Sequence, residues 1–126
     1  MVYGIIVGHV GLPRALLDAA AAITGQSDRM TVISNQGLSA EALDAELEQA
    51  IDACPEGDIL VFVDMFGSSC ATSSARIMRK RANVAVICGV NLPMLIRFLS
   101  YRDKREFSDL VRLVQETGPA EIRPVC

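Results

Sequence analysis

The chain has 126 residues and a formal net charge of −3. This length is typical of one domain that buries a core without disulfides or a structural metal, so we expect a single domain over residues 1–126. The acidic balance argues against nucleic acid as a partner, because phosphate binding leaves a basic surface. Hydrophobic residues make up 51% and tryptophan is absent, which favours an aliphatic α/β core.

The cysteines and the N-terminus bear on metal binding and on location. One histidine and four cysteines without C-x-x-C spacing cannot form a standard zinc motif, so we expect no metal and no cofactor. The first apolar run is too short to span a bilayer and has no basic segment before it. We therefore expect a cytoplasmic protein with reduced thiols.

The first half of the chain alternates short apolar runs with segments of helical spacing. Residues 2–7 and 30–34 are β-branched and apolar, which predicts strands buried on both faces. Residues 13–25 and 39–53 have helical periodicity, with a proline in the first turn of the first segment and a capping serine at the start of the second.

The second half continues the same alternation. Residues 59–63 and 84–88 predict two more strands, and residues 69–81 predict the helix between them. Two further helices are predicted over 91–101 and 107–118.

The C-terminal residues complete the predicted fold. Gly118 predicts the end of the last helix, and residues 121–125 predict a short edge strand, where Pro124 is tolerated. The alternation as a whole predicts an α/β fold with a doubly wound, mainly parallel four-stranded sheet in the order 2-1-3-4, helices on both faces and this short C-terminal edge strand.

Two polar residues follow neighbouring strands of this predicted sheet. His9 comes after the first strand and Asp64 after the third, at the point where the strand order reverses and ligands bind. A carboxylate that holds one imidazole nitrogen leaves the other free, as a histidine nucleophile requires. From the residues alone, a histidine that only closes the strand end by a backbone hydrogen bond remains the alternative.

Candidate phosphate-binding groups follow Asp64. Gly67, Ser68 and Ser69 precede a predicted helix and offer free amides and hydroxyls, which favour an anion. Ordinary capping by Ser69 is the alternative. Because neither G-x-x-x-x-G-K-S/T nor G-x-G-x-x-G occurs, a phosphoryl group on His9 fits better than a nucleotide. Asn91 also follows a strand and either lines the site or begins a helix.

Three segments resemble a known family. They are IIVGH with LPRALL, then FVDMFGSSCATSSARIM, and GVNLPMLIRFL at residues 89–99. Together they make nearly the whole chain similar to the enzyme IIA domain of the mannose class of the bacterial phosphoenolpyruvate-dependent sugar phosphotransferase system.

The resemblance implies a function for these residues. His9 would accept a phosphoryl group from the histidine-containing phosphocarrier protein and pass it to a IIB component for sugar uptake. Asp64 would orient the ring, and Ser69 with nearby amides would hold the phosphoryl oxygens. The resemblance also implies a homodimer, with the C-terminal strand against the partner subunit, and contact with a membrane only through permease components.

Two positions depart from the family pattern. Val10 stands where the family usually has glycine, and residues 68–70 read Ser-Ser-Cys instead of Gly-Ser-Pro. A β-branched residue restricts the backbone after His9 and would crowd an incoming phosphocarrier. Gly11 is expected to take over the turn.

Three other functions remain open from the sequence. Similar domains serve as the phosphoryl-transfer subunit of dihydroxyacetone kinase, and a regulatory domain whose phosphorylation is sensed by another protein would carry the same motifs. In a third, Cys70 near a helix N-terminus would act with His9 and Asp64 as a thiol nucleophile of a hydrolase. A small buried hydrophobic residue is the simpler interpretation of Cys70.

Overall fold

A computed structural model describes residues 1–126 and contains four strands and five helices. In chain order they are β1 (Tyr3–Gly8), α1 (Leu12–Thr24), β2 (Met30–Ser34), α2 (Ala40–Ala53), β3 (Ile59–Val63), α3 (Ser69–Met78), β4 (Val84–Cys88), α4 (Leu92–Tyr101) and α5 (Phe107–Ala120). None of the helices combines the length and apolar character that crossing a bilayer requires.

The four strands form one parallel sheet in the order β2-β1-β3-β4, which confirms the predicted α/β topology. The central strands β1 and β3 are hydrogen-bonded neighbours, and Val7 pairs with Val63 near their carboxyl ends. Because parallel strands end at the same edge of a sheet, the residues that follow β1 and β3 emerge side by side.

Alternate residues of the central strands enter two separate cores. Val61 packs beneath α2 and α3, in the core where Leu47 is fully buried. Phe62 faces the other way toward α1, α4 and α5 and meets Phe98 edge to face, with ring centroids 5.1 Å apart. The sheet is thus covered on both faces, and its carboxyl edge is left for a site.

The predicted C-terminal edge strand is wrong for this chain. Helix α5 continues through Pro119 to Ala120, and residues 121–126 contain no strand. The amides of Glu121 and Ile122 turn back to the carbonyls of Gly118 and Pro119, at 3.3 and 3.1 Å, so the segment does not extend along β4.

Gly118 has a packing role instead of the predicted helix-ending role. It is buried within α5, and a β-carbon there would come within 2.9 Å of the sulfur of Met94 on α4. The absence of a side chain therefore lets the two helices approach each other closely.

Candidate active site

The carboxyl ends of β1 and β3 bring His9 and Asp64 together, as the strand order predicts. Asp64 Oδ2 accepts a hydrogen bond from the backbone N–H of His9 at 2.9 Å. The same oxygen lies 2.9 Å from the imidazole Nδ1. One carboxylate oxygen therefore fixes both the backbone and the ring of the same residue.

This contact determines which imidazole nitrogen is free. A carboxylate oxygen only accepts hydrogen bonds, so Nδ1 carries the proton that it donates to Asp64. Nε2 then keeps its lone pair, and it makes no hydrogen bond within the chain. The His9 side chain is 41% exposed, whereas that of Asp64 is 9% exposed. The arrangement presents a nucleophilic nitrogen to solvent above a buried carboxylate.

The position of Asp64 depends on Gly8, which the sequence analysis did not single out. A β-carbon at Gly8 would lie 2.6 Å from Asp64 Oδ2, closer than any side chain tolerates. The carboxylate occupies the space that a larger residue would need. The available signal was a glycine that ends a strand directly after three β-branched residues.

The turn after His9 differs from the expectation. Val10 itself has a left-handed backbone, with φ of 55°, whereas Gly11 has φ of −92° and precedes α1 as its N-cap. The expectation that Gly11 takes over the turn is therefore wrong. The amide of Val10 contacts Asn35 Oδ1 at 3.4 Å, and the amide of Asn35 donates to the carbonyl of Gly8 at 2.9 Å.

Asn35 is thus a third residue at this edge that the sequence analysis missed. It follows β2, the other neighbour of β1. The predicted strand order already indicated this position, because the residues that directly follow β2, β1 and β3 all lie at the carboxyl edge of the sheet.

The loop after Asp64 leads into α3 through Ser68 rather than Ser69. Ser68 Oγ accepts the N–H of Ala71 at 3.2 Å and donates to the carbonyl of Met65 at 2.8 Å, which makes Ser68 the N-cap. Ser69 is the exposed first residue of the helix, so the alternative that Ser69 caps it is wrong. Gly67 has φ of 79°, which favours glycine there.

The first turn of α3 lies close to the site. The amides of Ser69 and Cys70 donate no hydrogen bond to a backbone carbonyl of the chain. Burial raises the pKa of the Cys70 thiol, and the negative charge of Asp64 raises it further. Asp64 lies only four positions before Ser68, the N-cap of α3, so this helix begins near the carboxylate.

The same observations disfavour thiol chemistry at Cys70. Its side chain is fully buried, and a raised pKa reduces the thiolate fraction on which nucleophilicity depends. Burial and Asp64 also raise the pKa of Cys88, which ends β4. Both residues behave as small apolar groups beside the site.

Asn91 acts in the structure as a helix cap. Its Oδ1 accepts the N–H of Met94 at 3.2 Å at the start of α4, and it makes no hydrogen bond to His9 or Asp64. The structure therefore does not bring Asn91 to the pair by direct contact. No group of three or more His, Cys, Asp or Glu side chains is arranged to hold a metal ion.

The grooves of the surface lie outside the His9–Asp64 pair. The largest, of about 540 Å³, lies between α4 and α5 around Tyr101, and a groove of about 340 Å³ runs along α3 from Phe66 to Arg79. None of the grooves includes His9. The imidazole is therefore reached directly from the surface of the protein.

Comparisons with known proteins agree with this geometry. The family model described as the PTS system fructose IIA component matches residues 3–115. The fructose-specific EIIA component of Bacillus subtilis strain 168 is 29% identical over 113 residues, which cover 88% of this chain and 77% of that protein. The mannose-specific EIIAB component of Escherichia coli strain K12 is 32% identical over 122 residues, or 94% of this chain, but this chain spans only 38% of its length.

Solved structures show the same architecture. The crystal structure of phosphotransferase system component EIIA from Streptococcus agalactiae has a TM-score of 0.90 at 25% identity and covers 98% of this chain and 97% of that chain. The mannose/sorbose-specific IIA subunit from Enterococcus faecalis shares the fold, with a TM-score of 0.89 at 17% identity and coverage of 98% and 94%. The chain therefore belongs to the mannose-class family of phosphotransferase-system IIA components.

Proposed function

We propose that this chain is a phosphoryl carrier that accepts a phosphoryl group on His9 from the histidine-containing phosphocarrier protein and passes it to a IIB component for sugar uptake. The observation that carries the proposal is the exposed imidazole, whose Nδ1 is held by Asp64 while Nε2 is free. Family membership supports the reaction class, which is phosphotransfer.

The geometry supports an in-line transfer. The lone pair of His9 Nε2 attacks the phosphorus, a P–N bond forms, and the P–N bond to the donor histidine breaks with its electron pair returning to the donor ring. The His9 ring becomes more positive as the bond forms, and Asp64 stabilises that charge through the Nδ1–H. Positioning and charge stabilisation are the main requirements of such a reaction.

The start of α3 would hold the phosphoryl oxygens. The amides of Ser69 and Cys70, which donate to no backbone carbonyl, and the exposed Ser69 hydroxyl are the available donors. The Ser68 hydroxyl is already used in the cap, so its contribution is to fix the helix end. Gly67 would allow the loop amides to approach the phosphoryl group closely.

A homodimer is a further part of the proposal. The outer edge of β4 is unpaired in this chain, and half-buried Val86 and Ile87 line an apolar groove of about 360 Å³ there. The tail carries Ile122 and Val125, which are 80% and 102% exposed. The tail of a second copy would form hydrogen bonds with the unpaired edge of β4 and bury Ile122 and Val125. An edge strand covered in this way no longer invites aggregation with other chains.

Transfer to a dihydroxyacetone kinase and a purely regulatory role use the same His9 chemistry. No feature of the site favours either, and they differ from sugar uptake in the protein that next receives the phosphoryl group. Because the chain belongs to the phosphotransferase-system IIA family, we propose a cytoplasmic location with membrane contact only through permease components.

The proposal is tested by phosphorylation from phosphoenolpyruvate with enzyme I and the phosphocarrier protein. We expect one acid-labile, base-stable label on the wild type and none on His9→Ala. Addition of a IIB component should discharge the labelled protein. A His9→Ala variant that still labels would refute the assignment.

A further inference from the structure

Unpaired positive charges concentrate at the end of α4. Six of the twelve basic side chains form an ion pair with a carboxylate, namely Arg14, Arg76, Arg81, Arg102, Arg112 and Arg123. Three of the others surround one aromatic ring. The charged groups of Arg97, Lys104 and Arg105 lie 5.7, 5.8 and 5.2 Å from the ring centroid of Tyr101. These four residues are here called the Tyr101 cluster.

The position at a helix end does not by itself account for the cluster. Basic residues are favoured at the C-terminus of a helix because of its dipole. After α3, however, the basic residue Arg81 also pairs with Glu48 and Asp52 of α2, at 2.9 and 2.8 Å. No carboxylate does this for the Tyr101 cluster, so three like charges remain close together in a chain whose net charge is −3. An anion from outside the chain would compensate them.

The Tyr101 cluster lines the largest groove of the chain. Tyr101, Arg97 and Lys104 contribute to its wall, and its volume of about 540 Å³ falls within the range of small-molecule sites. Its lining is mostly polar, which predicts a polar ligand.

The cationic end of this groove lies away from the catalytic pair. Arg102, which follows Tyr101, pairs with Asp28 at 2.9 Å, and Asp28 lies two residues before β2. The end of α4 is therefore at the amino edge of the sheet, whereas His9 is at the carboxyl edge. An anion held by the Tyr101 cluster would not contact His9.

Hydrogen bonding in the rest of the groove specifies what else the ligand must carry. The hydroxyl of Ser100 donates to the carbonyl of Ile96 at 2.8 Å, and that of Thr117 donates to the carbonyl of Leu113 at 2.7 Å. Because their protons are used, both oxygens offer only lone pairs to a ligand. The carboxylate of Glu121, which also lines the groove, likewise only accepts. This part of the wall therefore suits a ligand with several hydroxyl donors.

We propose that the groove between α4 and α5 binds a small phosphorylated polyhydroxy compound. The guanidinium of Arg97 matches a phosphate in bidentate geometry, and the ammonium of Lys104 adds a second charge-assisted contact. The hydroxyls of the ligand donate to Ser100, Thr117 and Glu121. Binding does not involve His9, so this inference is independent of the proposed function.

The test follows backbone amide chemical shifts while three probes are added at constant ionic strength. With ribose 5-phosphate we expect saturable shifts at residues 96–104 and 117–121, which include the lining of the groove. Inorganic phosphate should bind the same residues about fivefold more weakly, because it lacks the ribose hydroxyls. Ribose without phosphate should not saturate the site.

The two lysines of the chain provide a matched pair of variants. Each is exposed, forms no ion pair and follows the end of a helix. Lys104→Gln should weaken binding of ribose 5-phosphate about fivefold, because one charge-assisted contact is lost. Lys80→Gln removes the same charge after α3 and should leave the affinity unchanged.

A third variant tests the hydroxyl-binding part of the groove. Ser100→Ala removes an acceptor and should weaken binding of ribose 5-phosphate but not of inorganic phosphate. An unchanged affinity of this variant, or equal affinities of the wild type for ribose 5-phosphate and inorganic phosphate, would overturn the assignment of a polyhydroxy ligand.

Two other results would overturn the site itself. Equal losses in Lys104→Gln and Lys80→Gln would show that anions respond only to the overall charge of the chain. Shifts that do not saturate, or that centre on the His9–Asp64 pair and the start of α3, would show that the groove is not where the phosphorylated compound binds.

Discussion

Asp64 Oδ2 contacts both the backbone amide and the ring nitrogen of His9, each at 2.9 Å. The backbone contact fixes the position of His9 relative to the carboxylate, and the Nδ1 contact then fixes the rotation of the ring. This explains how an exposed side chain keeps one orientation without a pocket around it.

The space for this carboxylate leads to a prediction about Gly8. Gly8→Ala places a methyl group where Oδ2 lies, so Asp64 must move and transfer should slow by about ten- to hundredfold. Asp64→Asn should slow transfer similarly, because it leaves the imidazole poorly oriented. The measurement is the single-turnover rate of phosphorylation. Gly11→Ala is the control, because a β-carbon there meets nothing within 4 Å and φ is −92°.

Equal rates for Gly8→Ala and Gly11→Ala would show that the carboxylate does not orient the ring. The pairing of His9 with Asp64 could be predicted from the sequence because both residues directly follow strands whose order was predictable. The need for glycine at position 8 could not be predicted, because it arises from the Asp64 side chain, which lies over the end of the neighbouring strand β1.

At the scale of elements, the strands lie where the sequence predicts them, whereas some of the helix ends do not. Apolar β-branched runs are short and well bounded, and β2, β3 and β4 have the predicted limits. The two adjacent serines Ser68 and Ser69 left the N-cap of α3 ambiguous by one position. Gly118 does not end α5 as the local sequence predicted. It lies against Met94 of α4, a tertiary contact that the local sequence does not reveal.

The cap of α3 gives the second prediction. Ser68→Ala removes the acceptor for the Ala71 amide and should lower the free energy of unfolding by about 1 kcal/mol. Ser69→Ala removes no helix-capping hydrogen bond and should leave stability unchanged while slowing phosphoryl transfer. Urea denaturation and single-turnover rates measure the two effects.

Comparison of the two variants distinguishes Ser68, which stabilises the fold, from Ser69, which acts in transfer. If Ser69→Ala transferred at the wild-type rate, the phosphoryl oxygens would be held by amides alone. Loss of stability in Ser69→Ala, rather than in Ser68→Ala, would contradict the observed cap.

At the scale of the whole molecule, the chain leaves one sheet edge and its own tail unpaired. The sequence indicated a terminal strand from the composition of residues 121–125, but this pairing requires an acceptor edge in the right place. Within one chain, the amides of Glu121 and Ile122 turn back to carbonyls of α5, and the tail forms no strand with β4. A prediction of the strand from sequence alone could not include this geometric limit.

The proposed dimer gives the third prediction. Removal of residues 122–126 should leave the fold intact, because these residues are exposed and contribute no core side chain. It should convert a dimer into a monomer in sedimentation velocity. Removal of Cys126 alone is the control and should preserve the dimer. A wild type that sediments as a monomer, or a truncated chain that remains dimeric, would contradict the proposed role of the tail.

The most direct test of the account is the position of the phosphoryl group on the His9 ring. Long-range ¹H–¹⁵N correlation spectra of the phosphorylated protein distinguish the two ring nitrogens. Because Nδ1 donates to Asp64, we predict phosphorylation at Nε2 with the proton retained at Nδ1. A phosphoryl group on Nδ1, or on any residue other than His9, would contradict the account.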